Sequence, residues 1–237
     1  MNVGTRLLAG LLAAITLTVA PVAACPVARG ADHHNIVLTF IRHGESEANA
    51  QGIIDTKVPG PNITPLGVGQ ALAVANDLSV NRYDGIYASP MVRTQQTAAP
   101  LSQALGEPVT VLAGLREIEA GQNEGLNQST APQYPAPSAW LHGDRTARIP
   151  GSINGDEFDT RFDEAVSAIY DSGQTNPVAF SHSVAIMYWV LMNAKNADLS
   201  LEKDALPNTA HVIVTGNPRD GWTLVNWNGM PVHAPTP

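Results

Sequence analysis

The segment Arg42-His43-Gly44-Glu45-Ser46 sets a guanidinium beside an imidazole and follows them with a glycine; Asn49 lies three residues past Ser46. A second arginine, Arg93, comes shortly after Ser89-Pro90, and a second histidine, His182, follows Ser181. Two guanidiniums and two imidazoles suit a dianion. Arginine presents planar, paired donors to phosphoryl oxygens. A neutral histidine held by a hydrogen bond can attack phosphorus and carry the phosphoryl group. The leaving oxygen then needs a proton. Leu115-Arg116-Glu117 offers Glu117 for that role, provided its pKa is raised beside the bound phosphate. Glu119 points to the same side if the segment is extended, and Glu124 is close in sequence, so spacing alone leaves the acid open.

These groups need strands and helices to bring them together. Residues 35–41 (NIVLTFI) form a β-rich apolar run suited to a strand buried on both faces. Gly44, just beyond it, lets the backbone turn sharply and approach a ligand closely. Thr64-Pro65 has the cap-and-proline form of a helix start, with Ala71, Val74 and Leu78 on one face. Residues 85–88 form a short strand; Ser89-Pro90 repeats the helix start, and Gly106 stops that helix. Residues 108–112 form another strand, leading to Leu115-x-Glu117. Phe158, Phe162, Val166 and Ile169 mark an amphipathic helix. Residues 178–180 form a strand feeding an apolar helix over 184–192, in which Met187, Tyr188 and Trp189 read as core. Residues 211–214 and 222–226 form a closing hairpin around Asn217-Pro218 and Gly221. Strands alternating with helices predict an α/β layer fold with a mixed, mainly parallel sheet. Both His and both Arg then lie just beyond the C-terminal ends of strands, where open α/β sheets bind ligands. Residues 122–154, rich in Pro, Gly, Ser and Asn, read as an insertion over one sheet edge, of a length typical of a functional lid. Its Tyr134 and Trp140 either line a substrate lid or pack the loop on the body. His142 and His211 read as structural or exposed.

Composition narrows the function. The 237 residues are 44% hydrophobic and 14% charged, which supplies a core and excludes a disordered chain. Thirteen Lys and Arg against 21 Asp and Glu give a net charge of −8, a poor balance for nucleic acid. The single Cys excludes an intramolecular disulfide framework and a Cys-based zinc site. No His, Asp or Glu cluster has metal-ligand spacing, and the arginines already supply positive charge, so no metal or cofactor is expected.

Taken in order, Arg42-His43-Gly44-Glu45-Ser46 with Asn49, Ser89-Pro90 with Arg93, Leu115-x-Glu117 with Gly121 and Glu124-Gly125, and Ser181-His182 resemble the motifs of the histidine phosphatase superfamily, in particular its phosphoglycerate-mutase-like branch. The resemblance runs through about residues 35–226. It implies a single α/β domain with a mixed, mainly parallel sheet flanked by helices. It also implies a metal-free mechanism in which His43 is phosphorylated, Arg42, Arg93 and His182 bind the phosphoryl group, Glu117 is the acid and Asn49 contacts substrate. The chain departs from the family pattern where Ser183 stands for the usual Gly after the second His, and where Met187 stands for a frequent Arg. Asn123 takes the place of an aromatic, and Gly155-Asp156-Glu157 stands where Gly-Glu-Ser often occurs. The arginine pair that grips a substrate carboxylate in the mutases has no match in 122–154, which holds only Arg145 and Arg148.

The first 24 residues read as an export signal: one basic residue, an uncharged apolar run over 7–20, then small residues. That run is shorter than the roughly 20 residues a membrane span needs. Val22-Ala23-Ala24-Cys25 resembles a bacterial lipobox, with the lone Cys at the position that is lipidated. Residues 25–34 would be a tether and 35–237 the domain. The expected protein is an exported phosphomonoesterase, held in the cell envelope by a lipid at Cys25 and acting on a phosphorylated substrate. Two alternatives stand beside it: phosphoglycerate-mutase-type phosphoryl transfer, and a non-catalytic envelope binding lipoprotein.

Overall fold

The apolar heptapeptide Ile36–Arg42 forms strand β1. Ile36, Leu38 and Phe40 join one hydrophobic cluster and Ile41 joins another. The strand is therefore covered on both faces, as a central parallel strand must be. The computed structural model describes Met1 and residues 34–232; the expected export signal, Cys25 and most of the tether lie outside the described residues.

The chain continues through α1 (Glu47–Gln51), α2 (Pro65–Leu78), β2 (Gly85–Ala88), α3 (Val92–Leu105), β3 (Val109–Val111), α4 (Ala136–Leu141) and α5 (Gly155–Asp171). Then come β4 (Pro177–Ser181), α6 (Ser183–Asn193), β5 (His211–Asn217), β6 (Gly221–Trp227) and β7 (Met230–Pro231). The sheet order is β3-β2-β4-β1-β5-β6-β7. β1, β2, β3 and β4 are mutually parallel, whereas β5, β6 and β7 add on antiparallel. The mixed α/β sheet expected from the sequence is present.

Alternation along the strands splits the core in two. Phe40, Tyr87 and Ala179 face the cluster built with Phe162 of α5 and Trp189 of α6. Ile41, Ile86, Val178 and Phe180 face the cluster built with Ala75 of α2 and Ala98 and Leu101 of α3. Trp189 sits 5.4 Å from both the Phe40 and Phe162 rings, and its indole N–H donates to Asp163 Oδ1 at 2.7 Å. Helices thus flank both faces, and the four parallel strands open their C-terminal ends to one side. No helix among the described residues is long and apolar enough to cross a membrane.

One local expectation needs correction, and two further details extend the reading. Ser89-Pro90 does not start α3, which begins at Val92 after Met91. The Ser89 hydroxyl is instead within 2.8 Å of His182 Nε2 and 2.9 Å of Thr94 Oγ1, so it is taken up by tertiary contacts and cannot cap. A short 3₁₀ turn, Ala113–Leu115, separates β3 from Glu117. The 122–154 segment is not all loop. It contains α4, and Trp140 of α4 stacks on Phe158 of α5 and meets Tyr188 of α6 edge-on. Large apolar side chains inside a Pro- and Gly-rich stretch draw it onto the helical layer.

Thr64 caps α2 as expected, its hydroxyl accepting from the Gly67 N–H at 3.1 Å, with Pro65 as the first helical residue. α2 lies against the loop after β1 through two glycines. A Cβ on Gly44 would stand 2.7 Å from the Gly67 carbonyl oxygen, and a Cβ on Gly67 would collide with the carbonyl of Glu45. Gly69, two residues along the same helix, is exposed and has open space where its Cβ would be. The two glycines are therefore expected to respond with opposite sign. Gly67→Ala should destabilise by about 1–3 kcal/mol through overpacking, whereas Gly69→Ala should stabilise by about 0.5–1 kcal/mol. Thermal or denaturant unfolding reads both; equal effects would contradict the close approach of α2 to the β1 loop.

Candidate active site

β1 ends at Arg42-His43 and β4, its parallel neighbour, ends at Ser181-His182. The His43 backbone N–H donates to the Ser181 carbonyl at 3.1 Å, which carries the pairing one residue past β1. The two imidazoles thereby meet edge to face, with centroids 5.2 Å apart. The next strand, β2, leads through Ser89 to α3, whose first turn brings in Arg93. Four of the residues singled out by sequence converge from three strands.

The contacts fix the tautomer of His43. Its Nδ1 lies 2.7 Å from the Gly44 carbonyl oxygen and must carry the proton. Its Nε2 accepts from Arg93 Nε at 3.1 Å and must present a lone pair. Burial pushes the His43 pKa well below 6.5, and the charges of Arg93 and Arg42 lower it further. The ring is neutral near pH 7, with Nε2 as the nucleophilic atom.

Three donors around this ring have no hydrogen-bond partner among the described residues: Arg42 Nε, Arg93 Nη1 and His182 Nδ1. Arg42 is steered by Nη1 donating to the Leu206 carbonyl at 2.5 Å. Arg93 is steered by Nη2 donating to the Asp55 carbonyl at 3.1 Å, with the Asp55 carboxylate 3.8 Å from Nη1. His182 Nε2 is engaged by Ser89; with the serine hydroxyl donating, the histidine proton sits on Nδ1. Burial, then Arg93 and His43, push the His182 pKa well below 6.5. Buried donors without acceptors are costly, and a phosphoryl dianion would satisfy all three.

Glu117 and Glu119 separate here. The Glu117 carboxylate accepts backbone N–H groups from Ile118 at 2.9 Å, Ala185 at 2.8 Å and Val184 at 3.3 Å. It thus rests on the first turn of α6. Burial raises its pKa above 4.5, against the pull of these N–H groups and Arg93. Glu119 is committed elsewhere, to Arg116 at 2.8 Å and Arg161 at 3.5 Å. Glu124 is held by Thr56, which donates to it from both its N–H and its hydroxyl. Glu117 thus combines a raised carboxyl with backbone donors from α6, whereas Glu119 is tied to two arginines and Glu124 to Thr56.

Arg42, His43, Asn49, Arg93 and Glu117 line one cavity of about 310 Å³. His182 is fully buried behind them and does not line it. Asn49 Oδ1 accepts from the Ser46 N–H at 3.3 Å and from Asn208 Nδ2 at 3.2 Å. Tyr134 lines the cavity, whereas Trp140 packs in the core, its indole N–H on the Ala147 carbonyl at 2.7 Å. No group of three or more His, Cys, Asp or Glu among the described residues is arranged to hold a metal.

Several supporting residues carry no local sequence signal. Asn208 donates to the His43 carbonyl at 3.0 Å, and Thr97 Oγ1 accepts the Gly44 N–H at 2.9 Å. Arg161 of α5 clamps the acid-bearing segment through the carbonyls of Gly114, Arg116 and Glu117. Each reaches the site from far along the chain, so spacing could not reveal it.

The profile of the histidine phosphatase superfamily (branch 1) matches residues 38–229. The chain belongs to the histidine phosphatase superfamily. It is 43% identical over 222 residues to a PE-PGRS family protein, PE_PGRS11, of Mycobacterium tuberculosis, covering 86% of this chain and 38% of that protein. The chain thus spans well under half the length of that relative. It is 29% identical over 147 residues to putative phosphoserine phosphatase 2 of Hydrogenobacter thermophilus, covering 61% of this chain and 72% of that one. In fold it is similar to a mycobacterial glucosyl-3-phosphoglycerate phosphatase, with a TM-score of 0.68 at 22% identity over 82% of this chain and 100% of that one.

The buried imidazoles link stability to pH. In this superfamily member His43 and His182 both have folded pKa values below the 6.5 of an unfolded histidine. The unfolded chain therefore binds protons more readily, and their contribution is complete above pH 6.5 and lost as pH falls below it. Glu117 acts in the opposite sense: with its folded pKa above 4.5, the native state keeps that proton longer, and its contribution is lost as pH rises. Stability should decline between about pH 7 and pH 5, and less steeply in His182→Gln than in the unmodified protein. An identical slope in the variant, measured by denaturant unfolding across that range, would contradict the buried neutral state of His182.

Proposed function

We propose that this chain is an exported phosphomonoesterase working through a phosphohistidine on His43. The observation that carries the reading is the His43 ring: Nδ1–H on a carbonyl, an unprotonated Nε2 whose lone pair accepts from Arg93 Nε, and three unpartnered donors nearby. In the first step the Nε2 lone pair forms a bond to phosphorus as the ester P–O bond breaks. Arg42, Arg93 and His182 hold the phosphoryl oxygens, and Arg93 Nε turns from His43 to the phosphate. The Glu117 carboxyl gives its proton to the leaving alkoxide. In the second step water attacks phosphorus, Glu117 takes back a proton, the N–P bond breaks and phosphate leaves.

The experiment pairs two substrates with three variants. His43→Ala should keep less than about one percent of turnover on either, since the covalent route is gone. Glu117→Gln should slow hydrolysis of an alkyl phosphate by about 10²–10⁴-fold, and of para-nitrophenyl phosphate much less, because nitrophenolate hardly needs the proton. Glu119→Gln should show no leaving-group dependence, its carboxylate being held by Arg116 and Arg161. Equal losses on both substrates in Glu117→Gln would reassign Glu117 to binding.

Export and anchoring rest on the sequence: the apolar run over 7–20 and the lone Cys25 after two alanines. Cys25→Ser should shift the protein from the membrane fraction to the soluble exported fraction with catalysis unchanged. Unaltered membrane association on fractionation would refute the lipid anchor.

A further inference from the structure

The cavity that holds His43 extends well beyond the phosphate-binding donors, and its composition bears on what the phosphate is attached to. Among the described residues, no Arg or Lys other than Arg42 and Arg93 lines it. Arg93 donates to the reacting ring through Nε, and Arg42, next to His43 in the chain, donates to the Leu206 carbonyl. Arg145 and Arg148, the two basic residues of the 122–154 segment, are spent elsewhere. Arg145 pairs with Asp159, and Arg148 makes a two-pronged pair with Glu157 at 2.6 and 2.8 Å. Neither lines the cavity. Besides Glu117, the carboxylates Asp55 and Glu119 line it; they would repel a second negative charge, and each already has its arginine.

The rest of the wall is largely apolar. Ile53, Ile54, Ile118, Tyr134, Ile149 and Val184 line it, with neutral polar groups from Asn49, Thr56, Asn123 and Gln128 between them. Ile118 and Ile149 are buried, and Tyr134 is half-buried at the side supplied by the insertion. At about 310 Å³ the space exceeds the phosphoryl group alone; a cavity of about 150 Å³ already accepts a benzene ring. A carboxylate placed against this wall would lose water without gaining a cationic partner, which is strongly unfavourable.

We infer that the preferred substrate is a phosphate monoester of an uncharged, mainly apolar alcohol or phenol, and that Tyr134, Ile118 and Ile149 set this preference by excluding esters that carry a carboxylate. The inference rests on the phosphomonoesterase reading and names its substrate class. It separates this chain from the relatives whose names or bound ligands carry carboxylates, namely phosphoserine and 3-phosphoglyceric acid.

The test compares kcat/KM for hexyl phosphate with that for 3-phosphoglycerate and phosphoserine on the full chain at one pH. All three release an alkoxide, so the leaving-group chemistry is matched. Hexyl phosphate should be favoured by at least about tenfold, a discrimination that pocket contacts of this kind supply. Two variants check the cause. Tyr134→Ala should lower kcat/KM for hexyl phosphate more than for 3-phosphoglycerate. Gln128→Lys, at an exposed lining position, should narrow the gap by helping the carboxylate esters. A preference below about tenfold in the unmodified protein, or one favouring a carboxylate ester, overturns the inference while leaving phosphatase activity standing. Absence of turnover on all three esters overturns the phosphatase reading as well.

Discussion

The Nδ1–H of His43 donates to the carbonyl of Gly44 at 2.7 Å, and the site is arranged around the ring orientation that this bond fixes. A carbonyl accepts only, so the proton is held on Nδ1 and the lone pair on Nε2. The carbonyl can reach back to its neighbouring ring because the backbone after β1 turns at once, and the turn is pinned on both sides. Thr97 of α3 accepts the Gly44 N–H, and Gly67 of α2 leaves no room for a Cβ. Asn208 ties down the His43 carbonyl from the other end of the domain. The ring is thus oriented by backbone, which moves little, and the neighbouring donors are placed relative to it.

Those donors concentrate positive charge in a buried space. Arg42 and Arg93 are both largely buried, and desolvation lowers both pKa values, with Glu117 opposing the effect. Burial first, and then the guanidinium charges, keep both imidazoles neutral, which leaves the His43 lone pair available. A phosphate dianion relieves the same repulsion, so the charge that suppresses protonation of His43 also recruits substrate. Glu117 completes the balance. Burial favours its protonated form, while the α6 N–H groups stabilise the carboxylate left after proton transfer. In the proposed mechanism that one side chain gives a proton and takes one back.

Much of this was legible in the sequence because the chemistry is local. Arg42 and His43 are adjacent and follow an unmistakable buried strand, and Ser181-His182 ends a second one. Glycine and proline marked α2 and the end of α3 for the same reason: their backbone restrictions act within a few residues. What spacing could not show was tertiary. Ser89 looked like a helix cap but serves His182, because a hydroxyl takes the better-placed partner. Glu117 and Glu119 are equivalent as letters; they separate once the first turn of α6 takes up Glu117, while Arg116 and, from far along the chain, Arg161 take up Glu119. The 122–154 segment, rich in Pro, Gly, Ser and Asn, reads in the sequence as an insertion of lid length. It is drawn onto α5 and α6 by Trp140, and it supplies Tyr134 and Ile149 to the cavity.

The account stands or falls on which atom carries the phosphoryl group. The direct measurement is to react the protein with substrate, quench in alkaline denaturant to preserve phosphoramidate, and assign the modified residue and ring nitrogen by mass spectrometry and ³¹P NMR. The structure predicts phosphate on His43, at Nε2, because Nδ1 is held by the Gly44 carbonyl. Phosphate on Nδ1 of His43, on His182, or on no histidine at all during turnover would contradict it.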